Sequence, residues 1–419
     1  MNKHDLNIQP ERLWQSLMSL GEIGETQKGG SCRLALSSED GKARDLVSQW
    51  MRDAGLTVTV DQIGNIFGRR PGTNPDLSPV ATGSHIDTQP TGGKFDGCYG
   101  VMAGLEVMRT LQDHNIQTEA PLELIIWTNE EGARFVPTMM GSGVFCDLFS
   151  LEDMLNTTDR DGIRVGDELK RIGYDGDLPV PSHELGAYIE AHIEQGPILE
   201  QNKNTIGVVS GSLGLRWFEI TVKGMEAHAG PTPMKLRRDA LYAATFIVQQ
   251  VIQMAKDYHP IGRCTVGILD VHPSSPNVIP GEVRFTVDIR HLEAHLVDEM
   301  EARLRKMCDE VAQGNGPGYP TEISIKPLQA FPPTAFDQQL VASVEKSAQS
   351  RAYPHETIVS GAGHDAVYVA RKYPTAMIFI PCKDGISHNE TEYAYPEDVA
   401  AGANVLLDTM LAQAKISSR

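Results

Sequence analysis

Three imidazoles and a small set of carboxylates stand where they could hold and use divalent cations. His85 and Asp87 close the apolar run that begins at Val80, and Asp96 follows in the glycine-rich stretch GGKFDGCYG. Glu130 and Glu131 are adjacent in NEEG, just past the apolar run LELIIWT. His192 sits in AHIEQG, and His388 in GISHNE, after the apolar run TAMIFIP. Imidazole and carboxylate donors together suit zinc, manganese or nickel better than calcium or magnesium. Two adjacent carboxylates repel each other unless positive charge stands beside them. A metal on one of them would relieve that repulsion and leave its neighbour free to move protons. Two cations sharing one carboxylate would lie about 3.5–4 Å apart and could activate a water between them.

Each piece has an ordinary reading when taken alone. His85, Asp87 and Asp96 could be a polar loop, Glu130–Glu131 a solvated acidic turn, and His192 or His388 a satisfied histidine. Two further motifs carry little. His291 and His295 share an i, i+4 spacing but lack the glutamate that H-E-x-x-H requires, so they read as a cap and surface feature. Residues 361–366, GAGHDA, fit G-x-G-x-x-A loosely, but the match comes late and holds His364 and Asp365. No nucleophile elbow and no phosphate-cradling P-loop occurs.

The elements that must position these residues alternate. Residues 43–54 and 100–112 carry apolar positions at helical spacing, while 57–60, 79–82, 122–128 and 187–193 read as strands. Such alternation predicts an α/β fold with a largely parallel sheet, which gathers functional groups at the carboxyl ends of its strands. In 187–194 the even positions Tyr188, Glu190, His192 and Glu194 form the polar face. From 213 to 329 the order changes to strand 217–222, helix 236–256, strand 264–271, strand 283–290, helix 292–312 and strand 321–327. That β-α-β-β-α-β order predicts a small inserted α+β module of ferredoxin-like type. The α/β pattern resumes with a helix near 336–350, a strand at 375–381 and a helix at 397–414. The expected division is therefore 1–212 with 330–419 as one discontinuous domain and 213–329 as another.

Composition bounds the rest. The chain has 419 residues and a formal net charge of −18, which repels phosphate backbones and disfavours nucleic-acid partners. No run of 18 apolar residues predicts a membrane span, and the N-terminal stretch lacks the apolar core of a secretory signal. The six cysteines form no CxxC pair, which argues against a cysteine-rich zinc module or a disulfide framework. A cytoplasmic protein is the expectation.

Seven motifs in order bring these residues into one pattern: GSHIDTQPTGGKFDG, NEEGARF, HIEQGP, AHAGPTPM, NVIPGEV with DIR, SGAGHDA and GISHNE. The sequence resembles the hydantoinase/carbamoylase branch of the M20 metallopeptidase-like amidohydrolases over nearly its whole length. It looks most similar to N-carbamoyl-L-amino-acid hydrolases and β-ureidopropionases, and less so to allantoate amidohydrolases. The resemblance implies a metallo-aminopeptidase-like catalytic domain with two metals and an inserted lid that also dimerises. His85 and His192 would hold one metal, Glu131 and His388 the other, and Asp96 would bridge them. Asp87 would orient His85 and fix its tautomer, and Glu130 would be the general base.

From the lid of the partner subunit, His228 would stabilise the oxyanion. Arg290 would bind the substrate carboxylate, with Asn277 and Gln195 as further polar contacts and the loop Gly361 to His364 lining the site. The implied reaction is hydrolysis of the carbamoyl C–N bond of N-carbamoyl amino acids, α-L or β, releasing amino acid, ammonia and carbon dioxide. The implied assembly is a homodimer carrying two zinc, manganese, cobalt or nickel ions per subunit. An allantoate amidohydrolase, an M20 dipeptidase and a catalytically dead binding protein are the competing expectations.

Overall fold

The computed structural model describes residues 6–315 and 320–417. It divides the chain into two compact units, Ser212–Thr334 and the remainder.

The larger unit is built on a nine-stranded sheet. Its order is Thr57–Val60, Ile66–Arg70, Leu122–Trp127, Val80–His85, Ala187–Ile193, Thr375–Ile380, Ile206–Ser212 and Thr334–Ala335, with His355–Ser360 also paired to Ile206–Ser212. The four adjacent strands from Leu122–Trp127 to Thr375–Ile380 pair parallel to one another. Ile66–Arg70 and Ile206–Ser212 flank them antiparallel. The sheet is thus mixed where a largely parallel one was expected, and its antiparallel members are strands that the apolar runs above did not single out.

Side chains alternate between two apolar layers with period two. Leu122, Leu124 and Ile126, with Ile189, Ala191, Ile378 and Ile380, pack on one face. Ile125, Trp127, Tyr188, Met377 and Phe379 pack on the other. The face of Ala187–Ile193 that reads as polar is nevertheless buried: Glu190 and His192 are 0% and 1% exposed. Helices Cys98–Asp113 and Pro396–Ala414 cover the first face and are buried along most of their length.

The smaller unit has the strand order Leu269–His272, Glu282–His291, Gly214–Lys223, Glu322–Phe331, all antiparallel. Arg263–Thr265 also pairs with Glu282–His291, so the run 264–271 is two short strands and not one. Helices Ala240–Asp257 and Ala294–Ala312 share a core with the sheet through Ile247, Val251, Met300 and Leu304 against Phe218, Ile220 and Phe285. His291 is buried and accepts the Glu293 amide on Nδ1, while His295 is exposed. The pair spaced i, i+4 therefore does not present two ligands on one face.

Candidate metal centre

The carboxyl ends of the four parallel strands bring the donors together. His85 ends Val80–His85, Glu130 and Glu131 follow Leu122–Trp127, His192 lies near the end of Ala187–Ile193, and His388 lies in the loop after Thr375–Ile380. Asp96 stands among them, one residue before the glycine that caps helix Cys98–Asp113. Its Oδ1 is 3.2 Å from His192 Nε2 and 3.8 Å from His85 Nε2. Its Oδ2 is 3.2 Å from His388 Nε2, which is 3.4 Å from Glu131 Oε2. Asp96 thus faces two donor groups at once, one through each oxygen: His85 and His192 through Oδ1, His388 through Oδ2. Within each of the sets His85–Asp96–His192 and Asp96–Glu131–His388, the ligand atoms lie within 4.8 Å of one another. Glu130 Oε2 is 3.5 Å from His85 Nε2.

The tautomers follow from the backbone. His85 Nδ1 is 2.9 Å from the Asp87 carbonyl, and His192 Nδ1 is 2.9 Å from the Ile193 carbonyl. A carbonyl only accepts, so each Nδ1 carries a proton and each Nε2 is the nitrogen left facing Asp96. The Gly97 amide, 3.1 Å away, donates to His192 Nε2. The contact with His85 expected of Asp87 is made by its main chain. Its carboxylate is 3.8 Å from His85 Nδ1, and the tautomer is set by its main-chain carbonyl. The carboxylate oxygens instead accept the amides of Glu130 (3.3 Å) and Glu131 (3.2 Å). Asp87 therefore holds the two glutamates in place through their backbone.

Gly97 is required by space and by conformation. Its φ of 64° with ψ of −46° belongs to glycine, and a Cβ there would fall 2.3 Å from His85 Nε2. Three further polar residues complete the surround. Gln89 donates to Glu131 Oε2 at 2.7 Å. Ser387 Oγ lies 3.2 Å from Asp96 Oδ2, and Glu392 accepts the amides of Phe95 and Asp96. No spacing in the sequence marks these three, since each meets its partner only across the fold. Gln195, a substrate contact by resemblance, here donates to Asp96 Oδ2 at 2.9 Å, and its buried Oε1 has no partner.

Burial sets the electrostatics. Burial, reinforced by the charges of Asp365 and Glu131, drives the Glu130 carboxyl well above the usual carboxylate range. Burial and the charge of Asp96 push Glu131 up to about 8. Asp96 goes the other way: burial opposes its charge, but its contacts with His192 and His388 hold it well below the ordinary value. Burial drops His85 to about 4. His388, bonded to Asp96, rises to about 9. His192 also reaches about 9, because Asp96 outweighs burial. Without a cation, protons are the only positive charge that can fill the gaps between these groups. Ring nitrogens gathered around buried carboxylates, with protons standing where cations would, fit a divalent metal site.

The remaining predicted residues fall in two places. His364 is buried in the larger unit, its ring edge-on to His192 with centroids 4.5 Å apart. Gly361 opens the loop that leads to it. The five-residue helix Asp365–Val369 follows, too short to offer a dinucleotide its N-terminus. His228, Asn277 and Arg290 belong to the smaller unit. His228 is exposed, pairs in register with Val278, and accepts the Gly230 amide on Nδ1 at 3.0 Å. Its Nε2 therefore carries the proton of the neutral ring. The Asn277 carbonyl accepts the Ala229 amide, which brings Asn277 beside His228. The Arg290 Nε donates to both Asp288 oxygens, at 3.1 and 3.0 Å.

This fold and donor set define a class. Residues 81–412 match the family described as peptidase family M20/M25/M40, and the chain belongs to it. It is 46% identical to an N-carbamoyl-L-amino-acid amidohydrolase of Rhizobium meliloti, over 98% of this chain and 97% of that one. It is 32% identical to an allantoate amidohydrolase of Bacillus subtilis strain 168, over 93% and 94%. The crystal structure of an amidase of the hydantoinase/carbamoylase family from Burkholderia multivorans is 53% identical, with a TM-score of 0.94 and 98% and 99% coverage.

Proposed function

We propose that this chain hydrolyses the carbamoyl C–N bond of N-carbamoyl amino acids, α-L or β, using two divalent cations per subunit. The observation that carries the reading is Asp96 facing two donor groups at once, with Glu130 beside them. In this reading His85 and His192 would hold one cation and Glu131 and His388 the other, with Asp96 shared between them. Zinc, manganese, cobalt and nickel all suit that set. When bound, the cations supply Lewis acidity and bring the pKa of water down toward neutrality.

The chain's own groups do the rest. Glu130 takes a proton from the attacking water. As the C–N bond breaks, it returns that proton to the departing nitrogen. That leaves the amino acid and carbamic acid, which breaks down at its remaining C–N bond to ammonia and carbon dioxide. Asp87 keeps Glu130 in place through its amide. In the smaller unit, the Nε2–H of His228 is the donor assigned to the oxyanion. The planar guanidinium of Arg290 is assigned to the substrate carboxylate, with Asp288 holding it in its orientation. Gln195, Asn277 and the loop Gly361 to His364 are further substrate contacts.

We assign the smaller unit as a lid and dimerisation module. Its exposed Tyr242 and Ile252, and Ile268 and Leu269 at the sheet edge, support pairing with a second copy. Among the described residues no helix is long and apolar enough to cross a membrane. The six cysteines are unpaired, in keeping with a cytoplasmic setting. The test is ammonia release from N-carbamoyl-L-amino acids, N-carbamoyl-β-alanine and allantoate, with metal analysis of the same samples. Turnover of allantoate alone would replace the proposal with an allantoate amidohydrolase. Full activity in metal-free protein would end it.

A further inference from the structure

We infer that Glu392 is a positioning residue that locks the loop of Asp96 to the loop of His388, so that the site is assembled before any cation arrives. The inference rests on the two-cation reading above. Glu392 Oε1 accepts two consecutive amides, Phe95 at 3.1 Å and Asp96 at 3.0 Å. Its Oε2 accepts the Ser387 hydroxyl at 2.9 Å. The Ser387 oxygen is also 3.2 Å from Asp96 Oδ2 and takes a hydrogen bond from Gln195 Nε2 at 3.2 Å. One buried carboxylate thus fixes the main chain of Asp96 directly and borders its side chain through Ser387. Ser387 is the residue before His388, so the same contact anchors the second loop. The Glu392 amide donates to the Asn389 carbonyl at 3.0 Å, which closes the turn between them.

The sequence makes room for this side chain. A Cβ at Gly93 would come within 2.1 Å of Glu392 Oε1, so the second glycine of the GG pair leaves the space that the carboxylate fills. The geometry mirrors that of Asp87, whose carboxylate accepts the consecutive amides of Glu130 and Glu131. Each clamp fixes the backbone of a ligand by bonding to amides and leaves the ligand's own oxygens free. Outer groups of this kind are typically worth about 10- to 100-fold in metal affinity.

The experiment measures cation affinity of the full chain by competition with a chelator, using zinc and manganese alone, beside kcat and KM. E392A is expected to weaken binding by about tenfold or more and to lower kcat with little change in KM. E392Q keeps an oxygen for the two amides and is expected to stay within about threefold of wild type, well inside the loss typical of such partners. If E392Q falls as far as E392A, the residue acts by charge and the clamp is wrong. Wild-type affinity in E392A overturns it equally. If E392A does not fold, S387A carries the same test: weaker binding supports the clamp, and unchanged binding overturns it. A wild-type chain that binds neither metal defeats the two-cation reading itself, a result separate from either variant's.

Discussion

Glu130→Gln isolates the proton-transfer role because the structure limits what else the change can disturb. The Glu130 amide donates to Asp87 Oδ1, and its carbonyl accepts the Met139 amide at 2.7 Å. The main chain is therefore held on both sides, and an isosteric amide occupies the same place. What is lost is the ability to accept a proton. A positioned general base contributes about 10²- to 10⁴-fold, which is about 2.7–5.4 kcal/mol of barrier at 1.36 kcal/mol per decade. The prediction is a kcat reduced by that factor, with KM and metal content unchanged. Glu130→Asp withdraws the carboxylate by one methylene, and a displacement of about 1 Å can cost ~10²-fold. It should therefore retain more activity than the amide, or match it at the upper limit.

The assay is initial-rate ammonia release from an N-carbamoyl-L-amino acid, paired with elemental analysis of the same preparation. Turnover within tenfold of wild type, with both cations bound, refutes Glu130 as the base. Loss of a cation in the amide variant refutes the division of labour instead, since it makes Glu130 a ligand.

Gly97→Ala should lower both metal content and Tm. A residue with a side chain in that conformation costs about 1–3 kcal/mol, and the added methyl displaces His85; unchanged metal stoichiometry would show that the loop relaxes freely. Arg290→Ala should raise KM for carboxylate substrates more than it lowers kcat, as measured by full saturation curves; an unchanged KM assigns the carboxylate elsewhere. Stability of the metal-stripped chain should fall as pH rises from about 5 to 8. Asp87 and Glu392 are raised to about 7 and Glu131 to about 8, so the folded state holds protons that the unfolded chain has released across that range. His85, depressed to about 4, contributes with the opposite sign below its ordinary value. Cations replace those protons, so the metal-loaded chain should show a flatter profile of Tm against pH; parallel profiles would mean the carboxylates are not the cation site.

The donors were legible in the sequence because each follows a strand, and strand ends are easy to find. His85 and His192 sit at or one residue before the ends of the strands that carry them, and Glu130 and Glu131 come three and four residues past Trp127. Ile66–Arg70 and Ile206–Ser212 were not legible as strands, and they are what turns a parallel sheet into a mixed one. The groups that hold the donors were legible least. Gln89, Ser387 and Glu392 are common polar residues, and Glu392 lies 296 residues from the amide of Asp96 that it accepts. For Asp87 the contact with His85 was legible but not the atom that makes it. A sequence shows that a carboxylate is near a histidine, and it does not show whether the side chain or the main chain makes the bond.

The manner in which the surrounding acids are satisfied bears directly on why a cation should bind. Asp87 takes the amides of Glu130 and Glu131, Glu392 those of Phe95 and Asp96, and Glu194 those of Ile198 and Leu199. A lysine or arginine in these places would neutralise the same carboxylates but would add full positive charge close to the site, and so repel a divalent ion. Backbone amides order the acids while adding no net charge. They also stabilise the ionised form incompletely: Asp87 and Glu392 still rise to about 7, because burial outweighs the amide bonds. The region therefore keeps an excess of negative charge that only protons or metal ions can meet. At neutral pH protons on Glu131, His192 and His388 meet part of that excess, and divalent ions, for which the same groups are ligands, can take their place, which is the physical reason to expect the site to hold metal.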